Sequence, residues 1–448
     1  MALDLGSMFL DLAAAAAAYG RLDEDDARTK PGSNPSQGSP SLNPPAHGYP
    51  DGGGDRPPFV FIEPYAYFAD RHNATTAGCS MEGLHLRGDI KITFCTAQPP
   101  QVSYLCAHAT AYDHTVFAVR PSIVTTQTNG GLVLLCVVVG DRPSDAMFRH
   151  RRHYFVYDAS VPSLKHIKQP GDGHPVNEQS FAIVRKPDRS YVLAAQAGAF
   201  GCRNPSAHLC LYHSGTNSWS KLHVDSVPYG EFITYKAFTI GGDKGTVAWV
   251  DLSHMIIFCN VLDKRPKLRF LRIPIEPTNA GGLPAVRDIL VLDGFIKMVE
   301  LQHVAGGWKA TIWSIKTGVF SKKAWRVDYQ FDSSDIPEPS LPKLKLPEGV
   351  TAQPTLTTLH IGLPKLSLPD DGILYLLAKI DYRDRQHTAW VLAVDMKNKT
   401  VQRVAEFSPK RAIGLCRGYD SSTISKYLKV ASGQWYHSSE DISRIGDV

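Results

Sequence analysis

Residues Gly245–Ile275 read GTVAWVDLSHMIIFCNVLDKRPKLRFLRIPI. In VAWVDL, alternation puts Val247, Trp249 and Asp251 on one face of a strand and Ala248, Val250 and Leu252 on the other. A Trp body fills the gap between twisted sheets, and an Asp at a strand end accepts N–H bonds from the turn that follows. Both residues are therefore expected to serve the fold rather than a site. MIIFCNVL then fits an inner strand buried on both faces, and a polar turn leads into a further strand, LRFLRI.

The same phrase recurs along the chain. An apolar strand ends in a polar or aromatic residue, a short turn follows, and a second strand carries an apolar residue or Trp. Copies are YFVYDASVPSLKHI (154–167), LCLYHSGTNSWSKLHV (209–224), CNVLDKRPKLRFLRI (259–273), TIWSIKTGVFSKKAWRV (311–327) and VLAVDMKNKTVQRV (391–404), with a weaker one at ITFCTAQPPQVSYLC (92–106). The turn-entry residues Ala97, Asp158, His213, Asp263, Lys316 and Asp395 are spaced by 61, 55, 50, 53 and 79 residues. All but the last step lie near the roughly 50-residue repeat of kelch-type propeller blades. The long step holds the Pro-rich DSSDIPEPSLPKLKLPEGVTAQPT (332–355). Each unit has room for two strands ahead of its hairpin, such as SYVLAAQAG and TVAWVDL. The fold class is all-β, a β-propeller-like ring of about six four-stranded blades, with five or seven as alternatives. Two stacked β-sandwiches would give similar strands but would not impose a common step.

Outside the repeat, residues 1–58 hold an alanine run (Ala13–Ala18), an acidic patch (Asp23–Asp26) and a Pro/Gly/Ser stretch with almost nothing to bury. They read as a disordered tail. The folded domain is expected over 59–430, with the Pro-rich insertion at about 331–370, and 431–448 as a flexible C-terminal tail. The 448-residue chain carries 43% hydrophobic and 20% charged residues, close to globular averages. Its net charge of +5 comes from scattered Lys and Arg, which argues against a nucleic-acid partner. Eight cysteines without a CxxC pair fit a reducing compartment, cytoplasm or nucleus. The acidic N-terminus and the lack of an 18-residue apolar span argue against secretion and membrane spanning.

Five stretches together resemble one family: FIEPYAYFADRHNATTA (61–77), TFCTAQPPQVSYLCAH (93–108), HYFVYDASVPSLKHI (153–167), VAWVDLSHMIIFCNVLDKRPKLRFLRIPI (247–275) and RDILVLDGFIKMVELQH (287–303). It is the plant, largely grass, domain of unknown function 1618 family. The resemblance covers about Phe59 to Asp328 and extends more weakly to about Tyr419. Family members have no established activity or catalytic residues, so the resemblance implies none here. Some relatives look like F-box proteins, but residues 1–58 lack the apolar helical pattern that such a module needs. A ubiquitin-ligase adaptor lacking a recognisable F-box is accordingly the weakest functional reading.

Cys202, His208, Cys210 and His213 are competent zinc ligands, but C-x5-H-x-C-x2-H matches no standard module. Gly241–Thr246, GGDKGT, lacks phosphate-loop spacing and reads as a hairpin turn. Met147–His153, MFRHRRH, is the only dense basic patch and reads as the tip of a long loop. Asp370 and Asp371 precede Gly372 as turn residues rather than a catalytic dyad. No catalytic, cofactor-binding or metal residue is assigned. The expected function is a non-catalytic, monomeric protein-interaction platform. The alternative is a small-ligand binder or enzyme with its site in the propeller channel, which three or more His, Asp, Glu or Arg side chains meeting there would favour.

Overall fold

Side chains of an extended strand point alternately to its two sides, and in the computed structural model each side meets a different neighbouring sheet. The structure describes residues 43–49, 56–171, 176–197, 207–224, 232–276, 282–346, 352–369, 372–381, 389–407 and 418–429. The chain opens with β1 (Val60–Ile62), β2 (Tyr67–Phe68), β3 (Ala77–Ser80), β4 (Asp89–Cys95) and β5 (Val102–Ala109). Blade two is β6 (Phe117–Thr126), β7 (Leu132–Val139), β8 (Arg152–Asp158) and β9 (Ser163–Ile167). Blade three is β10 (Ala182–Arg185), β11 (Tyr191–Gln196), β12 (Ala207–His213) and β13 (Ser218–Val224). Blade four is β14 (Lys236–Gly241), β15 (Thr246–Asp251), β16 (Met255–Asn260) and β17 (Leu268–Arg272). Blade five is β18 (Arg287–Leu292), β19 (Phe295–Val304), β20 (Gly307–Lys316) and β21 (Arg326–Asp332). Blade six is β22 (His360–Leu366), β23 (Ile373–Lys379), β24 (Ala389–Asp395) and β25 (Thr400–Phe407), and β26 (Asp420–Ser422) follows. Only short 3-10 turns accompany these strands among the described residues.

Blades two to six are antiparallel and run in chain order from the centre outward. The remaining sheet has the order β26-β1-β5-β4-β3, with β2 also beside β5. There β26 pairs antiparallel with β1, Val60 facing Ser422, Phe61 facing Ser421 and Ile62 facing Asp420. β1 pairs in parallel with β5. The chain is thus a six-bladed β-propeller closed by pairing of its two ends. Five blades have the expected four strands, and the closing blade has six: β1 to β5 from the start of the described chain and β26 from its other end.

Six hydrophobic clusters fill the six gaps between neighbouring blades. This is why the middle strands are apolar at every position. In β7, Val133, Leu135 and Val137 face the closing blade, while Leu132, Leu134, Cys136 and Val138 face blade three. In β15, Val247 and Trp249 face blade three, and Ala248 and Val250 face blade five. Each fully buried Val or Leu contributes about 1.5–3 kcal/mol. The repeated turn entries have a common place as well: Asp158, His213, Asp263, Lys316 and Asp395 all lie where a blade's third strand turns into its fourth. Ala97 instead follows β4 in the closing blade, where the chain runs inward.

The long last step connects β21 to β22 through 3-10 turns at Ser333–Asp335 and Glu338–Ser340. Its Leu344, Leu356 and Leu359 are buried in the cluster between blades five and six. Within 1–58, the described residues 43–49 lie on the closing blade. Tyr104 Oη donates to the carbonyls of Pro45 (2.9 Å) and His47 (2.8 Å), and His47 Nε2 lies 2.8 Å from Val102 O. Residues 1–42 and 430–448 lie outside the described residues. No helix among the described residues is long and apolar enough to cross a membrane.

Antiparallel order sorts the connections onto two ends of the ring. One end, the turn face, carries the first-to-second and third-to-fourth strand turns of each blade. The other, the loop face, carries the second-to-third connections and the crossings between blades, including 140–151 and 333–359.

Candidate functional site

The innermost strands enclose a central channel of about 450 Å3. Four charged side chains from four consecutive blades form a chain along its wall. Lys236 Nζ of β14 lies 2.9 Å from Asp288 Oδ1 of β18, and Lys365 Nζ of β22 lies 3.4 Å from Asp288 Oδ2 and 3.0 Å from Asp420 Oδ1 of β26. Lys365 is only 7% exposed. Burial works against its charge, but the Asp288 and Asp420 carboxylates outweigh it and hold its pKa above the usual lysine value. Arg287, beside Asp288, is tied by Nε (2.9 Å) and Nη2 (2.6 Å) to Glu300 Oε1 and by Nη1 to the Leu252 carbonyl of blade four (2.8 Å).

Among the described residues the opposite wall is uncharged. Thr125, Thr126, Thr128 and Asn129 come from β6 and its turn, and Gln179 from the 3-10 turn before β10. At the turn face Thr239 N donates to Thr128 Oγ1 (3.2 Å), a bond from blade four to blade two. The closing segment adds Tyr419, Ser421 and Thr423. Their hydroxyl oxygens, like Gln127 Oε1, are buried and have no hydrogen-bond partner among the described residues. Arg287, Asp288 and Asp420 all line the channel, Asp288 and Asp420 joined through Lys365 and Arg287 held by Glu300.

The second candidate lies on the loop face. Met147–His153 spans the β7–β8 connection, where 3-10 turns at Pro143–Met147 and Arg149–Arg151 present the side chains before β8 begins at Arg152. Met147 is 83% and Phe148 51% exposed, and Arg149, His150 and Arg151 are exposed beside them. Arg152 turns inward: its Nη1 lies 2.6 Å from Glu178 Oε2, and Tyr154 Oη donates to Glu178 Oε1 (2.6 Å).

The other sequence candidates are held by local structure. Trp249 is buried and donates through Nε1 to the Ser180 carbonyl (2.7 Å). Asp251 accepts from the N–H groups of Ser253 (2.8 Å) and Ile233 (3.1 Å), which fixes the turn into β16. Gly241–Thr246 is the β14–β15 hairpin turn, with positive φ at Gly241, Gly242 and Gly245. His208, Cys210 and His213 lie on β12; the His208 ring packs on His223, and His213 Nε2 is 2.8 Å from Ser220 Oγ. Burial pushes the Cys210 thiol up. Cys202, Asp370 and Asp371 lie outside the described residues. Among the described residues no three of His, Cys, Asp and Glu are grouped to hold a metal ion.

Sequence reasoning missed Lys236, Asp288, Lys365 and Asp420, which lie as far as 184 positions apart along the chain. Each stands on the innermost strand of a blade. Charges on otherwise apolar strands, the lone Lys365 in HIGLPKL and the pair Arg287 and Asp288 opening RDILVL, are the signal that would have drawn attention to two of them.

The model of a family described as "Protein of unknown function (DUF1618)" matches residues 249–375, from β15 into β23. The match includes nearly all of 247–275 and the whole of 287–303, two of the five stretches on which the resemblance rests, and supports it over that part of the chain. No curated protein matches the sequence. Among solved structures, the β-propeller domain of Cps50 (Swd1) from Myceliophteria thermophila shares 10% identity at a TM-score of 0.30, covering 67% of this chain and 95% of that one. An α-L-arabinanase of Penicillium chrysogenum complexed with arabinobiose shares 11% identity at a TM-score of 0.29, covering 64% and 92%. A subtype N10 neuraminidase-like protein of A/little yellow-shouldered bat/Guatemala/060/2010 shares 8% identity at a TM-score of 0.31, covering 64% and 82%. At these values the likeness adds nothing on function.

Proposed function

We propose that the protein is a non-catalytic interaction platform that acts as a monomer in the cytoplasm or nucleus and docks a protein partner on its loop face. The observation behind this reading is the exposed pair Met147 and Phe148 among Arg149, His150 and Arg151. Large apolar side chains in a cationic setting suit a partner segment that is acidic and carries its own apolar anchor. The six described cysteines are free thiols, which fits a reducing compartment.

The test compares capture by the immobilised full-length protein with capture by a variant carrying Met147→Ser, Phe148→Ser, Arg149→Ser and Arg151→Ser. A Val161→Ser variant on the turn face serves as control. The reading expects an acidic partner retained by the wild type and the control and lost by the loop variant. Capture indifferent to the loop, or repeated failure to retain any partner, would count against it. A second reading, a small-ligand site in the channel, is favoured by the charged side chains Lys236, Asp288, Lys365 and Asp420 that four blades bring to its wall.

A further inference from the structure

The channel is neither a basic nor an acidic site, although it is rich in charge. Each lysine of its chain already has an aspartate partner, at 2.9 Å for Lys236 and at 3.0 and 3.4 Å for Lys365. These four charges cancel. An anionic ligand would have to draw a lysine away from Asp288 or Asp420, and a cationic one would have to draw an aspartate from Lys365. In a part-buried setting either exchange is costly, because the abandoned partner is left desolvated and unpaired.

What the channel does offer is uncharged hydrogen-bonding capacity. Thr126 and Gln179 face it across from the charge chain. Tyr419, 1% exposed, and Thr423 belong to its wall in the closing segment, with buried hydroxyl oxygens that have no partner among the described residues. Between these groups the wall is apolar, with Ile123 and Phe238 among its side chains. A volume of about 450 Å3 lies within the range of small-molecule pockets.

We propose that the channel binds a small uncharged, hydroxyl-rich molecule of the sugar or polyol class. The hydroxyl groups of such a ligand exchange bonds with the threonine, tyrosine and amide groups, its C–H faces lie against the apolar wall, and the charge chain stays intact. This site is independent of the loop face, so either can fail without the other.

The experiment is calorimetric titration of the full-length protein with D-glucose, myo-inositol and cellobiose, set against glucose 6-phosphate, glucuronate and glucosamine as charged counterparts. At least one uncharged probe is expected to bind saturably at millimolar concentration or below, with its charged counterparts about tenfold weaker or worse, the factor that 1.4 kcal/mol represents. Tyr419→Phe and Thr126→Val each remove one hydroxyl and little volume, and each is expected to weaken the uncharged probe about three- to tenfold. If Tyr419→Phe disturbs folding, the half-buried wall variant Thr126→Val still reads the site. Absence of binding by all three uncharged probes, equal or tighter binding of the charged ones, or affinity unchanged in the folded variants would overturn the proposal.

Discussion

At Asp395 one carboxylate organises a whole turn. Its Oδ1 accepts from Lys397 N (2.9 Å) and Asn398 N (2.8 Å), and its Oδ2 from Asn398 Nδ2 (2.8 Å) and Gln402 Nε2 (2.7 Å). Burial pushes its pKa up, but these donors outweigh burial and hold it below the usual carboxylate value. A lowered folded-state pKa gives stability that is present above the unfolded value, about 3.9, and is lost as pH falls through the folded one. Asp395→Ala is expected to cost about 2 kcal/mol, read as a lower urea midpoint with unchanged slope; an unchanged midpoint would contradict this role. Asp158 and Asp251 do the same work, with Ser160 N at 3.0 Å and Ser253 N at 2.8 Å. This chemistry was legible beforehand because an Asp closing an apolar run acts on the next few residues. The partnerless hydroxyls of Tyr419 and Thr423 were not, since what surrounds them comes from other blades.

At the scale of elements, β9 of blade two packs against the closing blade, and His166 on β9 lies so close to Gly83 that a Cβ there would come within 2.8 Å of its Nδ1. Beside it, the His153 ring is 5.7 Å from that of His166, and its Nδ1 lies 3.3 Å from Gln169 Nε2. Burial first, then the neighbouring His166, His85, Arg151 and His150, pushes the pKa of His153 down to about 4; burial lowers that of His166 too. These rings are neutral in the folded protein, so the unfolded chain binds more protons between about pH 6.5 and 4. Stability present above pH 6.5 is therefore lost as pH falls through that window. Thermal unfolding should show a falling Tm from pH 7 to pH 4.5, and His153→Gln should flatten the slope; an identical slope would remove His153 from the account. The third-to-fourth strand hairpins could be read from sequence because their strands are long and their turns carry Asp, Gly and Asn. The closing blade could not, because β1, β2, β3 and β26 have only two to four residues each and show no periodicity.

For the whole molecule, everything depends on the ring being closed. Three residue pairs join β1 to β26, and two further contacts reinforce them. An aromatic cluster joins Phe59 and Phe61 to Tyr375, Tyr419 and Phe407 across the gap between blade six and the closing blade. Lys365 ties β22 to Asp420 of β26. The repeat spacing made the number of blades legible, but spacing alone carries no information on which strand closes the ring, nor on the charge chain that closure completes. Hydrogen exchange of the full-length protein, followed by mass spectrometry, tests this most directly. If the ends are paired in one cooperative ring, amides in 60–62 and 420–422 will be protected as strongly as those of β7 and will exchange together with it. Rapid exchange of 420–422 while β7 stays protected would mean that the ring is open, and the channel as described here would not exist.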